Sequence, residues 1–137
     1  MIRQFSEDIN FKVNSFQKVK TWLKNTTINE GFKIGSVNYI FCSDQHILKI
    51  NQTYLNHNYF TDIITFNYNE EKIINADIYI SIDTVKDNSL SRKIWFEDEL
   101  QRVMVHGLLH LLGYNDKTSK EQSLMTEKED YYLNLRT

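Results

Sequence analysis

The chain has 137 residues, a length that suits one folded domain with one hydrophobic core. Hydrophobic residues make up 41% of it and charged residues 25%, which excludes a disordered chain. The formal net charge is −2, so any contact with nucleic acid requires a local patch of positive charge. Cys42 is the single cysteine, which excludes an internal disulfide and is typical of a reducing compartment.

The start of the chain and its apolar stretches bear on its location. The first residues, MIRQFSEDIN, lack the basic and then apolar layout of a signal peptide. The longest apolar stretch lies within residues 103–116 and is too short, and too rich in histidine, to span a bilayer. We therefore expect a cytoplasmic protein with no membrane contact.

The first half of the chain divides into two strands and two helices. Residues 2–13 alternate loosely between apolar and polar side chains and predict an edge strand. Residues 15–26 place apolar side chains at helical spacing, with Ser15 as the N-cap. The stretch VNYIFC, residues 37–42, predicts a second strand, and Asp44 is expected to cap the helix that follows.

Two further strands and a short helix follow. Residues 62–68 and 76–82 are rich in β-branched and aromatic side chains and predict strands. Between them, the Asn-rich residues 67–77 predict a loop. Asp83 is expected to cap a short helix directly after the second of these strands.

The last part of the chain predicts two helices. A long one runs from about Trp95 to Leu112 and ends at Gly113, a typical residue after a helix C-terminus. A final amphipathic helix opens at Thr118 or Ser119. Three of its side chains are expected in the core: Met125, Tyr131 and Tyr132. Strands mixed with helices, without regular strand–helix–strand repetition, predict an α+β fold for one domain over residues 1–137.

The long helix contains two histidines in an apolar run, VMVHGLLHLLGYND. His106 and His110 are four residues apart, so they point the same way and can bind one metal ion. A turn at Gly113 would bring Asp116 to the same point. Two histidines and a carboxylate leave one position open on tetrahedral zinc, which is the layout of a catalytic site. Alternatively, both histidines are hydrogen-bonded residues at the edge of the core.

The residue next to the first histidine separates this site from the zinc peptidases. Their helix reads HExxH, and its glutamate is the general base. Here that position is Gly107, which cannot move a proton and costs about 1 kcal/mol against alanine in a helix. The sequence therefore lacks the peptidase base and indicates close backbone packing at this position.

Taken together, HGLLHLLGYND resembles the signature H-G-x-L-H-L-x-G-Y-D-H of the YbeY-type endoribonucleases, bacterial ribosomal-RNA maturation factors. Upstream, residues 50–66 resemble the family's LNxxYRxxDxPTDVLSF, and residues 76–81 resemble its GDI strand. The resemblance extends from about residue 37 onward. It implies a small, mostly parallel mixed sheet of about four strands, packed with about five helices, and a metal site beside a central helix.

The resemblance also implies an activity. It predicts a single-strand-specific, metal-dependent endoribonuclease that acts in small-subunit ribosomal RNA processing and ribosome quality control. One zinc ion would be held by His106, His110 and Asp116, with metal-bound water as the nucleophile. Other divalent transition metals also suit this donor set. The implied partner is ribosomal RNA in the small subunit, and no protein partner is identified.

Three positions depart from the family pattern. Asp116 stands where the family has a third histidine, and a carboxylate is still a competent zinc ligand. Leu55 stands where the family has an arginine, and leucine cannot hold a phosphate. Phe60 replaces a proline and affects the shape of the loop. His57 is a cation-capable substitute for the arginine, or else an exposed loop histidine.

Further candidates surround these motifs. Asp62 and Asp77 would orient ligands or water, or else cap a strand end or a turn. Arg92 and Lys93 would contact the RNA backbone, and Tyr114 would stack on a base or fill the space behind the Gly113 turn. Three lysines of the first helix would either bind RNA or only solvate its surface: Lys18, Lys20 and Lys24.

Two rival functions remain open on the sequence alone. Leu55 favours a non-catalytic ribosome assembly factor in which the metal is a structural pin. A metal-dependent hydrolase of another substrate, such as a peptide, would need a glutamate from a distant segment, for which Glu121 and Glu127 are the candidates.

Overall fold

The structure is a computed structural model that describes residues 1–57 and 61–136. Within these residues the chain forms four strands and five helices. In chain order they are β1 (Ile2–Ser6), α1 (Phe16–Asn29), β2 (Lys33–Cys42), α2 (Asp44–Leu55), β3 (Ile63–Asn67), β4 (Ile73–Ser81), α3 (Ile82–Arg92), α4 (Phe96–Leu111) and α5 (Ser119–Leu133). Among the helices described, none is both long and apolar enough to cross a membrane.

The four strands form one mixed sheet in the order β1-β2-β4-β3. β1 runs parallel to β2, with Ile2 opposite Val37, and β2 runs parallel to β4. β3 is antiparallel to β4, with Ile63 opposite Ile80. The prediction of an α+β fold with a small, mostly parallel sheet and β1 at its edge is confirmed.

The two faces of the sheet support cores of different size. Alternate residues of β2, Val37, Tyr39 and Phe41, are buried in the large core that they share with α1, α4 and α5. On the opposite face a small cluster joins Cys42 and Ile64 to the apolar side of α2. The signature helix α4 thus lies on the larger core, with the sheet as a rigid base.

Two predicted caps were wrong by one or two residues. Ser43 caps α2 by accepting from the backbone N–H of His46 (3.2 Å), and Ser81 caps α3 in the same way. Asp44 and Asp83 lie in the first turns instead, where a carboxylate complements the helix dipole. The Asp83 carboxylate accepts from the Asp44 backbone N–H (2.9 Å), so the aspartates tie the two helix starts together.

Other boundaries also differ from the predictions. Part of the predicted loop 67–77 is strand, because β4 begins at Ile73 and pairs with the early residues of β2. Ser15 precedes α1 but makes no side-chain cap bond. Tyr131 is 51% exposed, whereas Met125 and Tyr132 are buried as predicted. Tyr131 falls beside, not on, the stripe of α5 that faces the core.

Gly107 allows α4 to lie directly on β3 and β4. A β-carbon placed there would be 2.6 Å from Cδ1 of Ile63 and 3.4 Å from Cγ2 of Ile78. The expectation of close backbone packing at this glycine is confirmed. In this fold the position of the peptidase glutamate therefore faces the sheet and not the side of α4 that carries the two histidines.

We expect Gly107→Val to lower the free energy of unfolding by about 1–3 kcal/mol, because its branched side chain overpacks the contact with Ile63. Gly107→Ala should cost less, since only the end of the Ile63 side chain has to move. Urea unfolding of both variants measures the difference. Ser123→Val, on the exposed side of α5, is the control for valine in a helix. An unchanged stability of Gly107→Val would contradict close packing.

Glu30, directly after α1, joins three parts of the fold. Its carboxylate accepts hydrogen bonds from the hydroxyls of Tyr114 (2.7 Å) and Tyr132, and Lys128 lies 3.6 Å away. Burial opposes ionisation of Glu30, but the two hydroxyls and the ammonium outweigh it and lower its pKa. α1, the turn after α4, and α5 are therefore connected through one ionised carboxylate.

Glu30→Gln should destabilise the protein by about 1–2 kcal/mol near neutral pH, because hydrogen bonds to a charged group are lost. Since the folded-state pKa of Glu30 is lowered, its contribution is present above the unfolded-state pKa and is lost as the pH falls through the folded-state value. Unfolding free energies of wild type and variant should therefore differ by a constant amount above the unfolded-state pKa and converge as the pH falls through the lowered folded-state pKa of Glu30. A gap independent of pH would contradict the assignment, and Glu127→Gln is the exposed control.

Candidate metal centre

Helix α4 presents both histidines of the signature on one side. The rings of His106 and His110 are 4.7 Å apart between centroids and meet edge to face. Both side chains are about three-quarters buried, with 23% and 28% of their surface exposed. The helix thus supplies two imidazoles at the boundary between core and solvent, where a small ligand can reach them.

A tight turn returns the chain to these rings. Gly113 has φ of +106°, a conformation that favours glycine, and its N–H donates to the His110 carbonyl (3.1 Å). Three residues later, Oδ2 of Asp116 lies 3.2 Å from Nε2 of His110 and 3.4 Å from Nε2 of His106. The turn predicted from Gly113 therefore brings the carboxylate to both histidines.

The three side chains could hold a metal ion. One nitrogen or oxygen atom from each of His106, His110 and Asp116 lies within 4.8 Å of the others. A tetrahedral ion with bonds of about 2.1 Å separates its ligand atoms by about 3.4 Å, which matches both distances to Asp116. Two imidazoles and one carboxylate are also a donor set that transition metals accept. The residues present fit a metal centre.

A buried carboxylate behind His106 was missed from the sequence. Glu129 of α5 is 6% exposed, and its Oε2 lies 2.5 Å from Nδ1 of His106. Burial lowers the pKa of His106, but the bond to Glu129 and the charges of Glu129 and Asp116 outweigh it and raise this pKa. The available signal was helical spacing, since Glu129 shares a stripe with the buried Met125 and Tyr132.

Arg102 holds this carboxylate from the other side. Its Nη1 lies 2.8 Å from Oε1 of Glu129, and its Nη2 lies 2.6 Å from Oδ1 of Asp130. The carboxylate of Glu129 therefore has one oxygen on an arginine and the other on His106. A buried charge with two partners of this kind avoids the cost of an unpaired one.

An open cleft of about 220 Å³ adjoins His106 and Asp116. Asp62, Arg92 and Arg102 contribute to its walls. Nη1 of Arg92 lies 3.0 Å from Oε1 of Glu99, and the Arg92 side chain remains 56% exposed. Burial raises the pKa of Glu99, and the charge of Arg92 opposes this shift. The cleft therefore carries two cations beside the candidate metal ligands.

Several predicted residues lie elsewhere. Asp77 is on the opposite face of the sheet, because it alternates with Ala76 and Ile78 of the large core, and it accepts from the Asn38 amide (3.0 Å). It is not brought to the metal centre. Of the two aspartates, Asp62, directly before β3, is the one that lines the cleft. The hydroxyl of Tyr114 donates to Glu30 and its ring packs against the large core, so Tyr114 fills the space behind the Gly113 turn.

The basic candidates also separate by position. Lys93 is the C-cap of α3 and, unlike Arg92, does not contribute to the described walls of the cleft. His57 follows the end of α2, and its N–H donates to the Asn51 carbonyl (3.0 Å). The three lysines of α1 border two other cavities. Lys20 and Lys24 border one of about 330 Å³, and Lys18 borders the second.

The remaining positions singled out in the sequence lie away from the candidate metal centre or outside the described residues. Leu55 ends α2 with 39% of its surface exposed. Phe60 lies outside the described residues. Glu121 is engaged in the capping box of α5 with Thr118, and Glu127 is exposed on the same helix, so neither supplies the cleft with a peptidase base.

Comparisons with known proteins identify the family of this chain. The family model described as endoribonuclease YbeY matches residues 1–136. The endoribonuclease YbeY of Cytophaga hutchinsonii is 48% identical over 133 residues, which are 96% of this chain and 93% of that protein. Its counterpart in Flavobacterium psychrophilum is 44% identical, over 96% of this chain and 94% of that one.

A solved structure extends the likeness to three dimensions. The solution structure of a Thermotoga maritima protein superposes with a TM-score of 0.68 at 32% identity, covering 98% of this chain and 87% of that one. The resemblance indicated by the signature motif is thereby confirmed over nearly the whole chain. With a family model spanning residues 1–136 and relatives this similar, the chain belongs to the YbeY endoribonuclease family.

Proposed function

We propose that this chain is a metal-dependent endoribonuclease that cleaves single-stranded RNA in the cytoplasm, during processing and quality control of the small ribosomal subunit. The observation that carries the proposal is the convergence of His106, His110 and Asp116 at the edge of an open cleft. Membership of the endoribonuclease YbeY family supports the reaction class. Ribosomal RNA is the substrate that the family resemblance favours.

Zinc is the metal that we propose for the site. The donor set leaves one position of a tetrahedral ion open, as catalytic zinc sites do. When bound there, zinc would activate water at neutral pH and offset charge on the phosphodiester. Asp116 adds negative charge, so the chain's own carboxylate weakens this effect relative to a third histidine. Other divalent transition metals suit the same donors.

The residues of the cleft would bind the substrate. The Arg92 guanidinium makes one described bond, to Glu99, and its exposed part has donors for an RNA phosphate. We propose that Arg92 supplies the cation that Leu55 lacks at the position of the family's arginine. Asp62 is placed in the cleft to accept a hydrogen bond from water or from a ribose hydroxyl.

Leu55 also favours the second candidate, a non-catalytic assembly factor that uses the metal as a structural pin. The open cleft beside the metal ligands argues against it, because a purely structural metal is usually enclosed by four protein ligands. The geometry does not favour a peptidase, because position 107 faces the sheet, Glu121 caps α5 and Glu127 is exposed. Glu129 does reach the cleft from α5, but both of its carboxylate oxygens are engaged, by Arg102 and by His106.

Purified wild type should cleave an end-labelled ribosomal RNA fragment at discrete single-stranded positions, and His110→Ala should lose at least 100-fold in rate, because one of three metal ligands is gone (about 2.7 kcal/mol). His46→Ala, which removes an imidazole from α2, is the matched control and should cleave as wild type does. Equal cleavage by wild type and His110→Ala would show that the activity is contamination. No cleavage by zinc-loaded wild type would favour the assembly factor.

Arg92→Gln should raise KM for RNA by about tenfold, because a phosphate contact of the cleft is lost (about 1.4 kcal/mol). Lys93→Gln removes the same charge one residue away and should change KM less than threefold. Steady-state cleavage at two salt concentrations measures both variants, with thermal melting as a check on the Glu99 ion pair. Equal effects of the two substitutions would show that Arg92 acts only through its net charge, which would contradict a direct phosphate contact in the cleft.

A further inference from the structure

We propose that Glu129 and Arg102 together set the tautomer of His106, so that its Nε2 is free to bind the metal. This inference rests on the proposed metal centre and assigns positioning roles to two residues outside it. Glu129 accepts a hydrogen bond from Nδ1–H of His106, and Arg102 determines which oxygen of Glu129 is available to do so.

The contacts of His106 divide its two nitrogens between different partners. Nδ1 faces Oε2 of Glu129 at 2.5 Å, whereas Nε2 faces Oδ2 of Asp116 at 3.4 Å. Neutral imidazole carries one proton, which occupies the nitrogen that faces the stronger acceptor. The buried carboxylate at 2.5 Å is that acceptor, so the lone pair of Nε2 is left toward His110 and Asp116. A metal ligand that donates its other N–H to a carboxylate is held in orientation and tautomer.

Arg102 determines which atom of residue 129 faces His106. Its Nη1 donates to Oε1 of Glu129 at 2.8 Å, while its Nη2 is occupied by Asp130 at 2.6 Å. An arginine only donates, so the atom of residue 129 that faces it has to be an acceptor. In wild type both carboxylate oxygens accept, and each of the two donors, Arg102 and His106, is satisfied.

This directionality predicts an unusual effect of Glu129→Gln. The amide oxygen has to face Arg102, because the alternative places an NH₂ group against a guanidinium N–H. The NH₂ group then faces Nδ1 of His106 and donates to it. The imidazole proton is displaced to Nε2, the nitrogen that would bind the metal. A nearly isosteric substitution would thus block the ligand atom without removing any ligand.

The test is the tautomer of His106 in the metal-free protein, read from long-range ¹H–¹⁵N spectra at an alkaline pH at which the spectra themselves show a neutral ring. We expect the proton on Nδ1 in wild type and on Nε2 in Glu129→Gln. Zinc affinity, measured by competition with a chelating dye, should fall 10- to 100-fold in Glu129→Gln. Glu127→Gln, an exposed substitution on the same helix, should match wild type in both measurements.

A double variant separates orientation from simple damage. In Arg102→Met combined with Glu129→Gln, Arg102 no longer holds the amide oxygen away from His106, so the amide can turn and its oxygen can accept a hydrogen bond from Nδ1–H. We expect the wild-type tautomer to return and the zinc affinity to rise at least threefold above that of Glu129→Gln alone. Additive losses in the double variant would overturn the role of Arg102.

The tautomer of His106 and the binding of zinc by the wild type are separate measurements. A proton on Nε2 of His106 in the metal-free wild type would overturn the inference even if the protein binds zinc and cleaves RNA. Absence of zinc binding by wild type would sink the proposed metal centre, whereas the tautomer measurement needs no metal. Thermal melting confirms that each variant folds, and the wild-type spectrum decides the tautomer without any variant.

Discussion

The close contact between α4 and the sheet at Gly107 is the constraint on which the site depends. Without a β-carbon at this position, the helix backbone lies against Ile63 and Ile78. That approach determines which stripe of α4 is covered by the sheet and which is left at its border. His106 lies next to the glycine in sequence and about 100° away around the helix, so its imidazole emerges beside the sheet and not under it. One residue without a side chain thus orients the two histidines of the candidate metal centre.

Two buried carboxylates near the candidate metal centre each have a charged partner. Glu129 has Arg102 and His106 as partners, and Glu99 has Arg92. Each pairing offsets part of the desolvation cost of a buried charge. The same pairings hold two guanidinium groups at the wall of the cleft. Arg92, whose side chain is 56% exposed, therefore keeps part of its guanidinium toward solvent at the cleft although the chain as a whole has a net charge of −2.

The position of the third candidate ligand, Asp116, depends on parts of the fold far from α4 in sequence. Asp116 follows a turn whose Tyr114 is bonded to Glu30 at the end of α1, and Glu30 is bonded in turn to Tyr132 of α5. Because α1, α5 and the turn after α4 meet at the Glu30 carboxylate, the turn that leads to Asp116 is held by elements distant in sequence. A loop held only by its own residues would lose more conformational entropy on binding an ion.

The sequence by itself determined most of the elements and the three candidate metal ligands, because both depend on short-range spacing. Helical periodicity predicted α4, the interval of four residues placed His106 and His110 together, and Gly113 predicted the turn that returns Asp116. Only the tertiary structure decided the surroundings. Contacts such as that of Glu129 with His106 join residues 23 positions apart, and the side of the sheet on which Asp77 lies depends on strand register. Local pattern carries no information on such partners, since they are chosen by how helices and strands pack, and packing is a property of the whole chain.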